Sequence, residues 1–141
     1  TKDLVVIGLG ASELDDYASA AAAEKGRVLK PDAEPQKGYY YRSDHFNFAK
    51  QGVPAFYAEG GMDYIGKPAD FGRQKRDEYT ANDYHAPQDE IKPGWDLSGG
   101  VEDLRLYLTI GYRVAEAAKM PEWRAGNEFK ATRDKSLGRA P

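Results

Sequence analysis

Cysteine does not occur in this chain of 141 residues. Its absence excludes a disulfide, a thiolate zinc site and a cysteine nucleophile. Histidine occurs only twice, so any imidazole chemistry rests on His45 and His85. Long apolar runs are lacking: none approaches the ~18 residues of a membrane-spanning helix, and no membrane partner is expected. Basic runs are lacking too. The 20 lysines and arginines are scattered among 23 acids for a net charge of −3, which argues against a nucleic-acid partner. No G-x-S-x-G elbow is present, so a serine hydrolase is disfavoured. The opening G-L-G-A-S-E lacks the pattern of a phosphate loop and the third glycine of a dinucleotide turn. No signal peptide is visible.

What is present suits one α/β domain, with 40% hydrophobic and 30% charged residues. Leu4 to Leu9 is a short β-branched run that reads as a buried strand. Residues 12–25 read as a helix, with a Ser12 cap oxygen, acids in the first turn and Gly26 as the stop. Arg27 to Lys30 reads as a short strand ended by Pro31, and 31–38 as loop. His45 to Gln51 reads as a short helix closed by Gly52, and Val53 to Ala58 as a strand. Residues 59–83 show no clear period and read as a long loop, of the kind often functional. The last firm element is a helix from about Leu97 to Lys119. It carries two apolar stripes, Val101/Leu104/Leu108 and Leu106/Ile110/Val114. The chain divides into a body, 1–120, and a polar tail, 121–141, with Trp123 and Phe129 as anchors if the tail wraps. The sequence enters its first strand with no lead-in, as a piece of a longer protein would.

Two polar clusters hold the two histidines. The first is Ser43-Asp44-His45, the second Asp83-Tyr84-His85 followed by A-P-Q-D-E. Both fall at junctions beside predicted strands, where sites form in α/β sheets. His85 reads either as a solvated turn histidine or as a metal ligand or proton shuttle. His45 reads either as a structural residue at a helix start or as packing behind Asp44, which would orient a ligand or an acid. No H-E-x-x-H or similar spacing offers a complete metal site.

Together the clusters resemble a known pattern. "YYRSDHFNFAKQGVPAFY", followed some forty residues after His45 by "NDYHAPQDE", is similar to the C-terminal half of the co-catalytic zinc aminopeptidases of peptidase family M28, in particular the bacterial leucyl aminopeptidase and aminopeptidase Y type. The resemblance covers roughly residues 3–120. It implies a mixed sheet flanked by helices, as part of a zinc-exopeptidase fold. It implies that His85 is a zinc ligand, that Tyr84 or Tyr40 donates a hydrogen bond to the substrate carbonyl or oxyanion, and that Asp44, with His45 behind it, supports the metal site. Two zinc ions would be the cofactors and a peptide the substrate. The remaining ligands and the general base would lie upstream of Thr1, so the upstream half of the same protein would be a partner and this chain alone inactive. The alternative is a peptide- or protein-binding module on the same fold. A chain lacking its upstream half is also expected to self-associate, to swap an element with a copy of itself or to be marginally stable, through whichever helix stripe is left uncovered and a first strand left at the sheet edge. No compartment follows, although relatives of this kind are often exported.

Overall fold

The computed structural model describes residues 1–139. It is α/β: three strands form a mixed sheet with helices against it, the partial exopeptidase architecture expected. In chain order the elements are β1 (Asp3–Ile7), α1 (Leu14–Ala23), β2 (Val28–Pro31), α2 (His45–Ala49), β3 (Tyr57–Gly60), α3 (Phe71–Asn82), α4 (Ser98–Ala115) and α5 (Lys130–Ser136). Two 3-10 turns, Pro35–Lys37 and Tyr39–Arg42, lead into α2. Among the described residues, no helix is long and apolar enough to cross a membrane.

The strand order is β2-β1-β3. β1 therefore does not become an edge, contrary to expectation: β2 pairs with it in parallel and β3 antiparallel, so both its ladders are filled. All five of its residues are buried. Its Leu4 meets Ala18 and Ala22 of α1 and Leu106 and Ile110 of α4. Burying a leucine or isoleucine in this way is worth about 1.5–3 kcal/mol each. The stripe of α4 that faces inward carries Leu106 and Ile110, while Val101, Leu104 and Leu108 stay exposed. Arg27 fastens α4 from the side, donating to Asp103 at 2.6 Å, to the Thr1 hydroxyl at 2.8 Å and to the Asp3 carbonyl at 2.7 Å.

Three local expectations are corrected. β1 stops at Ile7 rather than Leu9, because Gly8 turns the chain at φ 81°. A side chain at Gly8 would also strike the Tyr40 ring, 2.6 Å from where its Cβ would lie. β3 begins at Tyr57, not Val53, for a linked reason. Tyr57 pairs with Ile7, and beyond Ile7 there is no strand for the preceding residues to join. Residues 71–82 are a helix, not loop. Its segment F-G-R-Q-K-R-D-E-Y-T-A-N has too few apolar residues to show a period, so charge supports it instead. Lys75 pairs with Glu78 at 2.7 Å and Arg73 with Asp77 at 3.6 Å along its surface, and Arg76 reaches Glu34 at 2.7 Å.

The tail wraps the body. Trp123 and Phe129 are buried against Ala49, and the Trp123 indole N–H donates to the Gly52 carbonyl at 2.9 Å. Ser12, buried at the start of α1, forms an isolated antiparallel bridge with Trp123. Its hydroxyl accepts the Leu14 N–H at 3.3 Å.

Candidate functional site

The register Ile7↔Tyr57 puts the carboxyl ends of β1 and β2 and the amino end of β3 on one side of the sheet. Ligands of α/β sheets bind outside strand carboxyl ends. Tyr40, His45 and Tyr57 gather there as a row of rings. Tyr40 meets His45 edge-on with centroids 4.7 Å apart, and His45 meets Tyr57 at 5.1 Å. Tyr84 lies close enough to Tyr57 to help raise the pKa of that phenol. His85 stacks on Tyr84 at 4.0 Å.

The row is short of water and of partners. Neither ring nitrogen of His45 has a hydrogen-bond partner, and nor does the Tyr40 hydroxyl, although all three atoms are buried. Burial holds the His45 imidazole below its ordinary pKa, since the charged form would lose its hydration. Burial, then the nearby Glu128 carboxylate, pushes Tyr40 up to about 12. Burial and Glu59 push Tyr57 up to about 12 as well, and its hydroxyl donates to Glu59 at 3.1 Å. At neutral pH both phenols are donors, and His45 is a neutral ring.

His85 stands apart from this packing. It occupies the turn after α3, exposed, with φ 59°. A left-handed backbone at a residue with a Cβ costs about 1–2 kcal/mol. The turn is tied down around it. The Tyr84 N–H returns to the Tyr79 carbonyl at 3.0 Å and the Ala86 N–H to the Asp83 carbonyl at 2.9 Å. The Tyr79 hydroxyl donates to Asp89 at 2.9 Å, and Lys92 pairs with Asp83 at 2.7 Å. The charged helix α3 is thus the stalk that carries the imidazole.

Asp44 lies at the start of α2 with an exposed side chain; its carbonyl accepts the Asn47 N–H at 3.2 Å. The Ser43 hydroxyl does not cap α2; its backbone carbonyl takes the Phe46 N–H at 3.0 Å. Tyr57 was missed by sequence reasoning, which placed it inside a strand that ran one residue further. The place of the tail beside Tyr40, with Glu128 next to the anchor Phe129, was missed as well. Its one signal was the aromatic anchor in the tail.

Zinc does not fit the described residues alone. Among them, no three His, Asp or Glu side chains form a group that could hold a metal ion. A single imidazole is not enough, because catalytic zinc takes about three protein ligands.

The model of Peptidase family M28 matches residues 2–109, and the chain belongs to that family. The match spans β1 to α4 and takes in both histidine clusters. No curated protein and no solved structure matches the chain.

Proposed function

We propose that this chain forms part of a zinc-dependent aminopeptidase, to which it contributes one metal donor, His85, and one wall of the peptide cleft. The observation that carries the reading is the placement of His85. In a chain of this peptidase family, the imidazole stands exposed on a strained, tied-down turn beside Tyr84. Strain kept at an exposed residue is better accounted for by use than by folding. In this reading Tyr84 donates a hydrogen bond to the substrate carbonyl, and Tyr40 supports the wall behind it. Asp44 lies on the exposed side of α2, free to accept hydrogen bonds from a neighbouring segment. His45 sets the spacing between Tyr40 and Tyr57. The other metal ligands and the general base come from residues outside these 141, so the chain alone is inactive.

Calorimetric titration of zinc into the 141-residue chain tests this. No tight stoichiometric site should appear, whereas the same residues joined to the segment that supplies the other donors should bind two zinc ions and release N-terminal amino acids. His85→Ala in that longer protein should lose one metal and most turnover. Two tightly bound zinc ions in the short chain would overturn the reading. A binding module is the second reading, favoured by the lack of a three-donor group among the described residues. It predicts peptide binding by the longer protein without cleavage.

A further inference from the structure

Beside Tyr40 lies a solvent-open cavity of about 310 Å³. Gly8, just past the end of β1, lines it, and its other lining residues come from two sources. Asp32, Tyr40 and Tyr41 belong to the part of the chain matched by the family, while Glu128 and Phe129 belong to the tail beyond it. Phe129 stacks on Tyr40 with planes 17° apart and centroids at 6.2 Å. The Tyr41 hydroxyl donates to Glu128 at 2.8 Å and so ties the tail across the opening.

The charge of the lining is one-sided. Two carboxylates and three aromatic rings face the space, and among the described residues no lysine or arginine lines it. Asp32 accepts the Glu34 N–H at 2.8 Å and Glu128 accepts the Tyr41 hydroxyl, which leaves each carboxylate with free lone pairs. Aromatic faces attract cations, and carboxylates take guanidinium or ammonium donors. An anion would be repelled here, and a purely apolar guest would leave the acids unanswered. The volume is near the lower end for ligand pockets, about 300–1,000 Å³, which suits one side chain rather than a whole peptide.

We propose that this cavity binds the basic side chain of a peptide, lysine or arginine. The alkyl stem lies along the aromatic rings that line the space, and the charged head meets Glu128 and Asp32. The word peptide rests on the function proposed above; the binding of an organic cation does not. The tail is then a specificity element: it supplies half of a pocket whose other half the family segment provides.

N-butylguanidinium and its neutral isostere N-butylurea, titrated into the 141-residue chain and followed by NMR, decide the matter. The cation should bind saturably and shift the ring protons of Tyr40, Tyr41 and Phe129, and the urea should bind at least fivefold more weakly. Glu128→Gln, which keeps an acceptor for Tyr41, should weaken the cation roughly fivefold, as for an exposed ion pair of about 1 kcal/mol. Asp32→Asn should do the same, with the unliganded spectra unchanged elsewhere as proof of folding. Equal binding of cation and urea, shifts at other residues, or no saturation overturns the proposal. Neither zinc nor His85 enters this experiment, so its failure leaves the peptidase reading standing, and failure of the zinc titration leaves the cavity standing.

Discussion

The two histidines live in opposite environments. His45 starts α2 between two tyrosine rings, with no partner for either nitrogen. His85 sits on a left-handed turn in open solvent, stacked on one ring. The first environment suppresses what an imidazole does best. A buried ring can neither ligate nor shuttle a proton until something reaches it, but it is a good spacer. The second leaves the imidazole exposed and fixes the backbone under it. Identical side chains thus differ in their surroundings through burial and φ. The buried side is braced by the tail, through Phe129 on Tyr40 and Trp123 on Gly52. The exposed side is braced by α3.

The largest effect should come from removing the brace of the buried side. Trp123→Ala empties a nearly closed site and deletes the bond to the Gly52 carbonyl. It should cost about 3–5 kcal/mol in urea unfolding. If the tail brace is as separate from α3 as the contacts imply, the Tyr84 and His85 resonances should keep their native shifts below the unfolding midpoint. Next comes His85 itself. In the longer, active protein, His85→Gly should reduce kcat/KM by more than about 100-fold, beyond the roughly 10–100-fold typical of groups that only support a ligand. It should not lower stability, because glycine relieves the left-handed strain. A variant that unfolds more easily would show that the His85 ring holds the turn rather than serving the site.

His45→Phe should give a smaller signature, in pH. The folded pKa of His45 lies below the unfolded value of 6.5, so the unfolded chain binds more protons as the solution is acidified. This histidine therefore costs stability as pH falls from about 6.5 through its lowered folded pKa, and costs nothing above that window. Unfolding midpoints measured between pH 7 and 5 should fall in the wild type and fall less in the phenylalanine variant. Equal slopes would mean that His45 finds a partner in solution. The smallest effect belongs to Ser43→Ala. Its hydroxyl caps nothing, and stability should change by no more than about 0.5 kcal/mol.

Much of this arrangement was legible in the sequence where residues carry a period or a stop. The apolar run of β1 and the stripe Leu106/Ile110 of α4 are visible because burial selects apolar residues at fixed spacing. The two histidine clusters were visible as motifs. Three things were not. α3 hides because its surface is held by ion pairs and its packing is confined to Phe71 and Gly72 at its start, which leaves no hydrophobic period. The central place of β1 hides because an apolar strand reads alike whether one neighbour or two will pair with it. The neighbourhood of Tyr40 hides because Glu128 and Phe129 approach it from almost ninety residues away.

That last separation has a consequence for how the molecule comes into being. The bridge between Ser12 and Trp123 joins the beginning of α1 to the tail. During synthesis at about 5–20 residues per second, the α1 segment waits several seconds for Trp123 to be added. Until then, the ring of Tyr40 and the turn at Gly8 have no Phe129 to close them. The early chain can settle β1, α1 and β2 from neighbours in sequence, but the aromatic end of the sheet remains an unfinished surface. Distant contacts of this kind slow folding, because the intervening chain must be gathered before they form. A ribosome stalled before residue 123 would therefore carry a recognisable sheet with its basic-side-chain pocket still unmade.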